Sequence, residues 1–152
     1  MVKTSYAVAI GSNRPGRHGG PRAMVAAAIR ALGSITAAAP VIETPPIGPS
    51  IRRFANTAVL IGTEESPPEL LARLKRVEAA FGRRRGQRWA ARPIDLDIVW
   101  WSAGPWASPG LIVPHPQFRS RDFVLRPLAA LIPDARDPLT GLTMRHLLAR
   151  LG

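Results

Sequence analysis

Asp95 and Asp97 stand two residues apart in the run Ile94-Asp95-Leu96-Asp97-Ile98-Val99. Successive side chains of a strand leave opposite faces, so both carboxylates leave the same one, ~7 Å apart along the chain. Like charges at that spacing repel, and a cation between them relieves the repulsion. No histidine or cysteine stands beside them. Hard oxygen donors of this kind suit magnesium, which takes one or two carboxylates and completes its octahedron with phosphate and water. Just before the pair come Arg83, Arg84, Arg85, Arg88 and Arg92, grouped around Gly86. Guanidinium forks match phosphate oxygens bidentately. An acidic metal pair beside an arginine-rich loop is the equipment of phosphoryl or nucleotidyl transfer. Taken without its neighbours, the pair reads more plainly as an exposed Asp-x-Asp at a strand edge, paired with arginine.

The acidic pair needs a strand to hold it, and one is predicted over Asp95–Trp101, with Leu96, Ile98 and Trp100 toward the core. Tyr6, Val8 and Ile10 alternate with Ala7 and Ala9, which predicts a first strand ending at Gly11-Ser12-Asn13. Residues 13–20 read as a loop, followed by a helix over Pro21–Leu32 that Gly33 ends. Residues 35–43 are expected to form a second strand, closed by the proline-rich stretch from Thr44 to Pro49. Residues 56–61, rich in β-branched side chains, are a third. Ser66, Pro67 and Glu69 spell a helix start: an N-cap, a first-turn proline and the third-position acid of a capping box. Leu70, Leu71, Leu74, Val77 and Phe81 then keep helical spacing up to Gly82. Residues 121–125 are read as an extended segment near the acidic strand, and residues 143–151 as a closing helix. Strands and helices interleave without regular βα alternation, which favours an α+β sandwich.

The bulk properties allow this reading. A chain of 152 residues suits one domain, spanning 1–152. The absence of cysteine excludes disulfides and thiolate zinc sites and fits a cytoplasmic protein. No signal peptide or membrane span is read from the apolar runs. The net charge of +11 attracts polyanions without saying which.

Beyond this point the chain resembles a family. The string Arg88-Trp89-x-x-Arg92-x-x-Asp95-Leu96-Asp97-Ile98 is similar to the signature of the 6-hydroxymethyl-7,8-dihydropterin pyrophosphokinases. Ala9-Ile10-Gly11-Ser12-Asn13 resembles that family's opening strand and turn. Glu43-Thr44-Pro45-Pro46-Ile47-Gly48-Pro49 resembles its first substrate loop, and Phe54-x-Asn56 the start of its third strand. Val113-Pro114-His115-Pro116 and Arg121-x-Phe123-Val124-Leu125-x-Pro127-Leu128 resemble its later motifs. The likeness runs over nearly the whole chain in the family's order.

The resemblance implies a ferredoxin-like α+β fold, an antiparallel sheet with helices on both faces in three αβα layers. It implies an ATP-dependent enzyme of folate biosynthesis that moves pyrophosphate from ATP to the pterin's hydroxymethyl group and releases AMP. It implies two magnesium ions on Asp95 and Asp97, with Asp97 also in the catalytic set beside Arg83, Arg85 and Arg92. Phe54 and Phe123 would sandwich the pterin, Asn56 and the backbone near Thr44 and Pro45 would fix its amide edge, and Trp89 would close over the site. Glu78, Arg85, Arg88, Trp89, Arg92, Ile98, His115 and Arg121 would contact ATP. The expected partners are these two small molecules, with no nucleic acid or membrane, acting on a monomer. The chain departs from the family at Ala90-Ala91, where Gly-Pro is common, and the choice between Arg84 and Arg85 as the catalytic arginine stays open.

Two other classes fit parts of the pattern. A nucleotidyltransferase would use an Asp-x-Asp pair on an α+β sheet and release pyrophosphate. A basic RNA-binding module would offer aromatic side chains for stacking, for which Phe54 and Phe123 are the candidates.

Overall fold

The period-two pattern at the start of the chain builds the middle of the molecule. In the computed structural model, which describes residues 2–14, 16, 18–44, 54–82 and 93–152, strand β1 (Thr4–Ser12) lies between β4 (Phe54–Thr63) and β5 (Asp95–Trp101). Both neighbours are antiparallel to it. Tyr6, Val8 and Ile10 point to one face and are buried, while Ala7, Ala9 and Gly11 occupy the other. Two short edge strands, β2 (Ile35–Ala38) and β3 (Ile42–Thr44), both pair with β4.

Helices cover both faces. Helix α1 (Pro21–Leu32) and helix α2 (Pro67–Gly82) bury Met24, Val25, Leu70 and Leu74 against Tyr6, Val8, Ile61 and Leu96. Helix α3 (Asp122–Leu131) and helix α4 (Met144–Leu151) bury Leu125, Leu128 and Leu147 against Ala7 and Val99 on the opposite face. The result is the three-layered ferredoxin-like α+β arrangement. The start of α2 carries its capping box: Glu69 N–H donates to Ser66 Oγ at 3.4 Å, and Ser66 N–H to Glu69 Oε1 at 3.0 Å. No helix among the described residues is long and apolar enough to cross a membrane.

Three local expectations are corrected. Residues 35–43 form two strands, because Pro40 lacks the N–H that a continuous ladder needs. Residues 121–125 are not extended beyond Arg121; helix α3 begins at Asp122, and Leu125 and Leu128 share its buried side. Pro127 forfeits one helical hydrogen bond, and burial of those leucines outweighs the loss. Trp100 does not share a face with Leu96 and Ile98. The β1–β5 register slips between Ala7 and Val8, leaving Val99 as an extra residue, so Trp100 packs on the α3–α4 side and Trp101 returns to the α1–α2 side. Beyond these, Trp106–Ser108 (β6) and Leu111–Val113 (β7) form an antiparallel hairpin.

Candidate active site

Small residues in β1 leave room above the sheet. Gly11 lies directly between Asn56 of β4 and Asp95 of β5, and Ala9 between Ala58 and Asp97. These two cross-strand rows form the floor of a cleft of about 320 Å³. Helix α3 packs on the same face, and the start of it supplies the wall: Arg121, just before the helix, and Phe123 and Val124 line the cleft together with Phe54, Asn56 and both aspartates. Asp95 and Asp97 are exposed, as their alternation with buried Leu96 requires. Asn56 is 8% exposed, its amide held close above Gly11, where an added Cβ would lie 2.8 Å from Oδ1. The Arg121 guanidinium sits 5.9 Å from the Phe123 ring centroid and donates to Gln117 Oε1. Thr44 pairs with Phe54 in the β3–β4 ladder and does not line this cleft.

A second cleft, of about 370 Å³, opens on the other side of Asp97. Lys75 of α2, Ile98 of β5, Leu111 and Ile112 of β7, and His115 line it. His115 follows a cis Val113–Pro114 bond, and its Nδ1 accepts the Gln117 N–H at 3.2 Å. The neutral ring therefore carries its proton on Nε2. Burial holds its pKa below the usual imidazole range, with Asp97 pulling it up and Arg121 pushing it down. His115 is thus a neutral donor near pH 7. Lys75, Leu111 and Ile112 were not foreseen, because the hairpin was not; the turn signal Ser108-Pro109-Gly110 between short apolar runs could have located it.

Glu78 is placed elsewhere than at an open surface. It is 7% exposed, accepts the Leu96 N–H at 2.8 Å and lies 3.2 Å from Lys75 Nζ. Pro45, Arg83, Arg84, Arg85, Arg88, Trp89, Ala90, Ala91 and Arg92 lie outside the described residues. The residues flanking 83–92 are in close contact: a Cβ on Gly82 would come within 2.2 Å of Pro93 Cδ. Ser12 Oγ donates to the Pro93 carbonyl at 2.5 Å, which ties that junction to the end of β1.

Among the described residues, no group of three or more His, Cys, Asp or Glu side chains gathers for a metal. Asp95 and Asp97 offer two carboxylates on one face, a donor set that suits a hard cation whose remaining ligands come from a bound phosphate and water. The two clefts meet at Asp97, while Asp95 lines the first alone. Residues 7–133 match the family described as 7,8-dihydro-6-hydroxymethylpterin-pyrophosphokinase (HPPK). A 2-amino-4-hydroxy-6-hydroxymethyldihydropteridine pyrophosphokinase of Pseudomonas aeruginosa is 37% identical over 98% of this chain and 92% of its own length. The enzyme of that name from Synechocystis is 38% identical over 68% of this chain, and the match spans only 53% of that relative. The crystal structure of Plasmodium falciparum HPPK-DHPS with pteroate has the same fold, with a TM-score of 0.71 at 14% identity, over 97% of this chain and 42% of that one. The chain belongs to the 6-hydroxymethyl-7,8-dihydropterin pyrophosphokinase family.

Proposed function

We propose that the protein carries out its family's reaction in the two joined clefts, transferring the pyrophosphoryl group of ATP to the hydroxymethyl group of 6-hydroxymethyl-7,8-dihydropterin. The observation that carries this reading is the position of Asp97, which lines both clefts. The pterin occupies the cleft over Gly11. A flat heteroaromatic ring gains from stacking, for which Phe54 and Phe123 are at hand. Asn56 offers both a donor and an acceptor to the ring's amide edge, and we assign the closing of the site to the Pro45 backbone and the Trp89 ring. ATP occupies the hairpin side, against Ile98. Neutral His115 donates from Nε2 to a phosphate or ribose oxygen, and Arg121, Arg88 and Arg92 bear on the phosphates.

Two magnesium ions on Asp95 and Asp97 supply charge neutralisation and orientation for the transfer. The pterin hydroxyl oxygen gives up its proton to solvent water and forms a bond to the β-phosphorus, the bond from that phosphorus to the α–β bridging oxygen breaks, and AMP leaves. Arg83 and Arg85 cover the group in transit, and exclusion of water strengthens their hold on its charge. The absence of cysteine supports a cytoplasmic setting, and we take the working unit to be a monomer.

Titration tests the two-cleft arrangement. The pterin is expected to bind protein already saturated with a non-hydrolysable ATP analogue and magnesium, one to one and without displacing it. Mutual displacement would contradict separate clefts.

A further inference from the structure

Glu78 is a buried carboxylate, and such a group is stable only with partners. Its Oε2 accepts the N–H of Leu96, the residue between Asp95 and Asp97, and its Oε1 faces Lys75 Nζ. Among the described residues strand β5 ends the sheet, and no further strand pairs with its outer backbone groups. The Glu78 side chain takes that place at Leu96. Leu96 is also held from below, its own side chain buried against α2 beside Leu70 and Leu74. The peptide that carries both aspartates is therefore fixed to α2 by a charge-assisted hydrogen bond and by packing. Lys75, at the other oxygen, lines the cleft on the hairpin side.

We infer that Glu78 is a positioning residue: through the Leu96 N–H it sets the height and direction of the Asp95–Asp97 pair, and through Lys75 it joins that strand to the second cleft. The inference rests on the reaction proposed above. It gives Glu78 a task besides a nucleotide contact, carried by its hydrogen bond from Leu96 and its ion pair with Lys75. Partners one step removed from a metal-binding carboxylate typically govern affinity or activity by about 10- to 100-fold.

The test compares Glu78→Met, which keeps the length and removes the acceptor, with Glu78→Gln, which keeps an acceptor and removes the charge. In Glu78→Met, kcat is expected to fall about 10- to 100-fold, with little change in the KM for ATP. Half-maximal activity should require more magnesium. Glu78→Gln should recover most of the loss. Two readouts need no turnover: the Leu96 amide should exchange its hydrogen faster in Glu78→Met, and Mn²⁺ should bind more weakly in the presence of a non-hydrolysable ATP analogue. Should Glu78→Met fail to fold, Glu78→Asp, which withdraws the carboxylate by one methylene, carries the same expectations. A raised KM for ATP at unchanged kcat, or unchanged exchange at Leu96, overturns the inference. If wild-type protein itself makes no AMP, the proposed reaction falls, and the exchange and Mn²⁺ results still decide whether Glu78 orders the pair.

Discussion

Gly11 and Asn56 face each other across the β1–β4 ladder so closely that a Cβ on Gly11 would lie 2.8 Å from Asn56 Oδ1. The glycine is there because the amide needs the space. Gly11→Ala is expected to push the Asn56 side chain off its position and weaken pterin binding by about 1–2 kcal/mol, the worth of one or two misdirected hydrogen bonds. ATP binding, on the far side of Asp97, should hold. Separate titrations of the two ligands check this; equal weakening of both would argue against an Asn56 role confined to the pterin.

The contact between Gly82 and Pro93 makes a second demand on glycine. A Cβ at Gly82 would lie 2.2 Å from Pro93 Cδ, so the end of α2 and the approach to β5 must part. Gly82→Ala is expected to cost about 1–3 kcal/mol of stability, as overpacking does. Pro93→Ala should relieve much of that cost in the double variant. Urea unfolding of the two single variants and the double variant measures the coupling, and strict additivity would contradict it.

Asp137 is fully buried beneath the turn that leads to Arg121. Burial pushes its carboxyl up, but the hydrogen bonds from Arg119, the Thr140 hydroxyl and the Leu139 N–H outweigh this and bring it down to about 2. A depressed carboxylate stabilises the fold above its unfolded pKa and loses that contribution as pH falls through the folded one. Asp137→Asn is expected to cost about 2 kcal/mol at pH 7. The gap from wild type should close between about pH 4 and pH 2. Unfolding curves across that range test it; a gap independent of pH would mean that the charge contributes nothing.

His115 reports on the space around Asp97. Its pKa is held below the ordinary value by burial, while Asp97 raises it and Arg121 lowers it. In metal-free protein, Asp97→Asn should therefore lower the His115 pKa further, a shift that imidazole NMR titration reads directly. No change would separate the two side chains.

Much of this frame was legible from residue order. Pro21 and Gly33 bracket α1, Ser66 and Glu69 start α2, and period-two alternation puts both aspartates on one face. Each of those signals is local. What escaped depends on contacts made far along the chain. The slip that turns Trp100 to the opposite core is a property of two strands in register. Phe123-Val124-Leu125 is a short apolar run whose period alone does not separate strand from helix; the sheet surface that buries Leu125 and Leu128 decides for helix. The second cleft requires the β6–β7 hairpin, so the position of Asp97 between two cavities could not be seen from its neighbours in sequence.

The most direct measurement is the identity of the nucleotide product when the protein is mixed with ATP, magnesium and 6-hydroxymethyl-7,8-dihydropterin, run beside a folded Asp97→Ala variant. AMP in step with the pterin diphosphate, and loss of both in the variant, is the expected result. ADP or free pyrophosphate as the product, or retained turnover without Asp97, would contradict the account.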